Sequence, residues 1–142
     1  MSTSFIQGLM LGGVLGVGVG LIVMWVKQRK GQHPTAAQTI PVTVITTEPG
    51  VDQEHALLKP GDSIRWIKGP GVDAFHVHFP CGQSPFGTGP ANEHFNPAAS
   101  ASVISPGVAV NPGRGQAKTH KYSVTVNNSP EPFDPHVIVM GN

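Results

Sequence analysis

The chain holds a single cysteine in 142 residues, so an intrachain disulfide, a paired-cysteine zinc knuckle and a haem-attachment motif are all excluded. Charge is equally scarce. Only 12% of residues are Asp, Glu, Lys or Arg, about half the usual share of a globular protein, and 9 basic residues nearly balance 8 acidic ones. No basic field is available to hold nucleic acid, and no acidic tail is present. Aromatic residues make up 6%, and no amphipathic helix can be traced after Val26. A helical bundle is therefore excluded. What is plentiful is glycine (18) and proline (14), without a collagen period.

These totals conceal two unlike parts. From Phe5 to Val26 runs FIQGLMLGGVLGVGVGLIVMWV, with no charged side chain and Gln7 as its only strongly polar one. A helix of this length spans roughly 33 Å at 1.5 Å per residue, enough for a bilayer core of about 30 Å. Trp25 closes the run where an interfacial ring is favoured, and Lys27, Arg29 and Lys30 follow. A cleaved signal peptide would carry its positive charge ahead of a shorter apolar core. Here the order is reversed, which predicts a retained single-pass anchor in an inner or plasma membrane. The basic flank puts the residues after it on the cytoplasmic side by the positive-inside rule.

Gly8, Gly12, Gly16 and Gly20 recur every four residues and share one helix face. Three consecutive GxxxG units form a groove in which another helix, a lipid or a flat pigment can approach the backbone closely.

All 14 prolines lie at position 34 or later. Residues 1–30 read as the anchor with its basic flank, 31–39 (GQHPTAAQT) as a linker, and 40–142 as an all-β domain. Strand-like runs are expected at Ile40–Thr46, His55–Leu58, Asp62–Ile67, Ala74–Phe79, Ser102–Ser105, Val108–Val110, His120–Val126 and His136–Met140. Period-two alternation assigns the core faces: Ile64 with Trp66; Phe75, Val77 and Phe79 against His76 and His78; Tyr122, Val124 and Val126. KPGD, KGPGVD, NPGRG and NNSPEPFDP supply turns between them, and Pro41 suits an edge strand. The segment Pro80–Ala101 reads as one long loop, a common location for partner binding.

Lys59-Pro-Gly-Asp-Ser-Ile-Arg-Trp66, a Gly/Asp loop, then Phe75-His76-Val77, resembles the cupredoxin signature. Pro112-Gly113 followed by Tyr122-Ser123-Val124 resembles the penultimate strand of that family. The resemblance spans residues 40–142 and implies a Greek-key β-sandwich. It also implies export, which would put the domain in the periplasm or outside the cell, against the charge rule. It further implies a first copper histidine at His76, and a cysteine, second histidine and methionine near the C-terminus. The cysteine position falls on Val124, and no cysteine follows Cys81. A type 1 site needs a thiolate, and a binuclear centre would need two.

His76, His78, Cys81 and His136 are the remaining candidate metal ligands, with His94 and His120 as further imidazoles. His76 and His78 also read simply as the outer face of a strand. No nucleophile elbow, HExxH or phosphate-cradling loop occurs. Asp62 and Asp73 read as turn caps. The expectation is a non-catalytic accessory subunit of a larger membrane complex, without cofactor, nucleic acid or small-molecule substrate. An energy-transducing complex, photosynthetic or respiratory, is the class suggested by analogy. The alternative is a membrane-tethered copper-binding or electron-transfer protein.

Overall fold

The computed structural model describes residues 36–142. The expected span Phe5–Val26 lies outside that range, and with it the glycines at 8, 12, 16 and 20 and the flank Trp25, Lys27, Arg29 and Lys30. Among the described residues no helix is long and apolar enough to cross a membrane.

Nine strands and one helical turn make up the β-domain: β1 (Thr39–Val44), β2 (His55–Leu58), β3 (Ser63–Lys68), β4 (Phe75–His78), the turn Pro90–Glu93, β5 (His94–Phe95), β6 (Ser102–Ile104), β7 (Ala117–Lys121), β8 (Ser123–Val126) and β9 (His136–Met140). They form three hydrogen-bonded ladders in the orders β1-β3-β6, β2-β9-β7 and β5-β4-β8. Two pairings are parallel, β1 with β3 and β2 with β9; the others are antiparallel.

The alternation in the sequence sorts the side chains as expected. Ile64, Trp66, Phe75, Val77, Phe79, Tyr122, Val124 and Val126 are all buried, while His76 and His78 lie on the opposite face of β4. β1 sits at a sheet edge, where a proline's missing N–H is tolerated. The PGD turn is held by its aspartate. Asp62 accepts hydrogen bonds from the Lys59 and Gln38 amides, at 2.9 and 2.8 Å, so it caps the turn and ties the start of the domain to it.

Three expectations need correction. The run His120–Val126 is not one strand. It breaks at Tyr122, where the chain leaves the β9 ladder as β7 and enters the β4 ladder as β8. His120 is buried along with Tyr122 on the inner side. Val108–Val110 is not a strand, although Val108 exchanges backbone hydrogen bonds with Gly61 and Asp62.

The third concerns Pro80–Ala101. It is not a free loop: it contains the helical turn and β5, and it sends Phe86 and Phe95 into the core. There Phe95 stacks on Trp66 at 5.0 Å, and Phe86 meets Trp66 and Phe79 edge-on. The buried Glu93 carboxylate accepts the Gly82 amide at 2.8 Å. Tyr122 completes the aromatic group by stacking on Phe79. Burial pushes its hydroxyl up to about 12, slightly opposed by the nearby Trp66 indole. Neither polar atom finds a hydrogen-bond partner of good geometry.

Candidate functional site

Three imidazoles gather on the outer face of β4 and β5. On β4 the strand period turns His76 and His78 outward. β5 runs antiparallel to β4 and pairs His94 with His78, so His94 shares their face. The His94 ring stacks on both: 5.2 Å from His76 at an interplanar angle of 6°, and 4.5 Å from His78 at 20°. His94 Nδ1 lies 3.2 Å from His76 Nε2, one donating to the other.

Burial, followed by the neighbouring His94 and His78, holds His76 below the ordinary histidine value of 6.5. It is therefore neutral at pH 7, the form that ligates metals. A small cavity of about 80 Å³ adjoins it, lined also by Asn96, Thr125 and Asn128.

Two nitrogens bound to one tetrahedral zinc lie about 3.3 Å apart, given Zn–N bonds of about 2.0–2.1 Å. The His76–His94 pair already has that spacing. His78 does not join it as it stands. A nitrogen lone pair lies in the ring plane, and His94 is near-parallel to both neighbours, so in either pair a ring must turn before two can aim at one ion.

The other candidates disperse. Cys81 is an exposed free thiol. His136 belongs to a different sheet, opposite His55 in the β2–β9 ladder. Among the described residues, one trio of possible ligands has donor atoms all within 4.8 Å of one another: Glu54, His55 and His136. Sequence reasoning named neither Glu54 nor His55, because nothing in the sequence announces a parallel pairing between strands some 80 residues apart. A signal for the β4 cluster did exist in the His-x-His spacing, but the way β5 brings in His94 did not.

The type 1 copper set that the resemblance implies does not fit these residues. Val124, at the thiolate position, is fully buried and pairs with Val77. It also exchanges two backbone hydrogen bonds with Phe133, at 2.8 and 2.9 Å, closing the segment between β8 and β9. That segment (NNSPEPFDP) contains no cysteine, histidine or methionine. Its first residues, Asn127 and Asn128, take the left-handed conformation at φ 50° and 57°.

No protein-family model matches the chain, and no curated protein matches it. Among solved structures it is similar to amicyanin. One reduced, Cu(I) amicyanin variant at pH 4 shares 20% identity over 76% of this chain and 86% of that one, with a TM-score of 0.46. A second Cu(I) variant shares 20% over 71% and 81%, with a TM-score of 0.45. A third, reduced variant shares 19% over 75% and 86%, also at 0.45.

Proposed function

We propose that this protein is a non-catalytic, membrane-anchored accessory subunit whose cupredoxin-like β-domain serves as a binding scaffold. The helix Phe5–Val26 would hold it in the bilayer and pack through its glycine face on a neighbouring helix. The observation that carries the reading is the closed segment between β8 and β9, which has no cysteine, histidine or methionine. Buried valine and paired backbone stand where an electron carrier of the cupredoxin type would need a thiolate and an imidazole. A protein partner is favoured by the outer face of β2 and β9, where Leu57 is 61% exposed, Met140 is 41% exposed, and Ile138 is the register partner of Leu57.

The test is extraction of the full chain from its native membranes in mild detergent. Co-purification with other membrane subunits is expected, weakened by Gly12→Leu with Gly16→Leu and by Leu57→Glu. Recovery of the chain alone as a monomer would overturn the reading.

A second reading is a membrane-tethered metal-binding protein. The 3.2 Å approach of His76 and His94 favours it. Copper titration of the full chain, with His76→Ala and His94→Ala as controls, separates the two. Stoichiometric copper lost in both variants supports the metal reading, and an intense blue colour would point to a thiolate ligand.

A further inference from the structure

Glu54, His55 and His136 stand apart from the β4 imidazoles, on the β2–β9 ladder. The parallel register sets His55 directly beside His136 on the outward face. Their rings are stacked nearly parallel, 8° apart, with centroids 5.4 Å from one another. The His136 amide donates to the Glu54 carbonyl at 2.8 Å, which fixes Glu54 at the entrance to β2 against the start of β9. Two imidazoles and one carboxylate thus come from two strands distant in sequence, with donor atoms within 4.8 Å of each other. His136 Nδ1 is buried and has no hydrogen-bond partner. A buried imidazole nitrogen without a partner is costly unless something else meets it.

The electrostatic setting suits a cation. Glu54 also lines a cavity of about 350 Å³ whose other acidic residues are Glu48, Glu131 and Asp134. Lys121 is the register partner of His136 across the β7–β9 ladder. Its charge is engaged by Asp134, Nζ to Oδ2 at 2.9 Å.

We propose that Glu54, His55 and His136 form a surface site for a divalent first-row transition ion, with zinc as the reference occupant. Imidazole suits zinc, copper and nickel, and a two-histidine, one-carboxylate set leaves a fourth zinc position open to water or to a partner's side chain. Copper(II) binds the same donors more tightly than zinc by the general affinity order of divalent ions. Bringing the donors from 4.8 Å to the spacing of a coordinated set needs only side-chain rotation, since Glu54 and His55 are exposed. The ion would clip the entrance of β2 to that of β9. It would also lie two residues along each strand from Leu57 and Ile138, at the end of the exposed apolar face.

The experiment uses the full chain in detergent, carrying His76→Ala and His94→Ala so that the β4 cluster is silent. Zinc binding is measured by equilibrium dialysis with elemental analysis, and thermal unfolding is recorded with and without zinc. One zinc per chain and a raised unfolding midpoint are expected, because an ion that binds the folded state alone stabilises it. Adding His55→Ala, His136→Ala or Glu54→Gln should each weaken binding. Loss of a ligand costs at least as much as loss of a group that orients one, roughly tenfold or more. His55 is exposed, so His55→Ala should keep the fold, checked by circular dichroism. No zinc uptake in the double variant, or uptake unchanged by His55→Ala and Glu54→Gln, would overturn the proposal.

Discussion

His94 Nδ1 meets His76 Nε2 at 3.2 Å across two antiparallel strands, with the rings parallel to within 6°. A hydrogen bond between two imidazoles requires that one of them be bare at that nitrogen. A second positive charge beside His94 is unfavourable, which adds to burial in holding His76 down. His94→Ala should remove part of what holds His76 down and let its pKa rise towards 6.5. Following the His76 ring resonances through a pH titration by NMR checks this; an unchanged or lower value would show that burial and His78 set it without His94.

His120 makes the fold itself sensitive to acid. Its ring is 4% exposed, and its Nδ1 must carry hydrogen because it donates to the Gln83 carbonyl at 2.6 Å. Nε2 is then a bare nitrogen buried without a partner. Burial lowers the pKa of His120 below 6.5, opposed by the Gln83 carbonyl and aided by Lys118. The unfolded chain takes up this proton more readily than the folded one. Stability should therefore be level above pH 6.5 and fall as the pH drops from 6.5 towards the lower folded value. Urea midpoints measured between pH 8 and about 5 should show this slope, and His120→Gln should reduce it, leaving the share of His76, which is also held below 6.5.

Asn127, just past the end of β8 and beside the start of β4, holds the β3–β4 turn. Its Oδ1 accepts the Asp73 and Ala74 amides at 2.8 and 3.2 Å, and its Nδ2 donates to the Gly71 carbonyl at 2.8 Å. It does so from a left-handed backbone that asparagine tolerates better than most residues. Asn127→Ala should destabilise by about 1–3 kcal/mol in urea unfolding. Asn127→Gly, which relieves the backbone but restores no hydrogen bond, should recover only part of that.

Phe86→Ala should cost about 3–5 kcal/mol, as large-to-small changes in a packed core do. The change sits in a segment whose sequence reads as a loop, so a surface residue would be expected to cost almost nothing. A loss under about 0.5 kcal/mol, the scale of surface substitutions, would show that the segment is not part of the core.

Gly50→Ala should also destabilise. A methyl group there would collide with the Cβ, Cγ and Cδ2 of Phe133, and its φ of +81° carries a further penalty of roughly 1–2 kcal/mol for any side chain. Adding Phe133→Ala would clear the ring atoms but leave the Phe133 Cβ and the backbone term, so Gly50→Ala should stay destabilising in that background, by less than in the parent chain, in thermal unfolding.

The faces of β3, β4 and β8 were legible because alternation of large apolar and polar residues is a local property. His136–Met140 was legible to the residue, being an apolar run bounded by Pro135 and Gly141. Tyr122 was placed on the right face but not recognised as the point where the chain changes sheets, since both halves of that run keep the same period. Pro80–Ala101 carries turn residues throughout, and its two phenylalanines look incidental until Trp66 is seen waiting for them. The groupings of the candidate ligands were legible only in part, for a related reason. His76 and His78 share a strand, so their association was readable; His94, His55 and Glu54 reach their partners only through pairings between strands.

β1 lies beside β3 in six registered pairs, Thr39 with Ser63 through Val44 with Lys68, both running the same way. Tension applied to the chain ahead of Thr39 and directed along the strand would load this ladder in shear. Its bonds would then bear the force together instead of parting one after another. The first strand of the domain is thus a mechanical clasp against a pull from its N-terminal side.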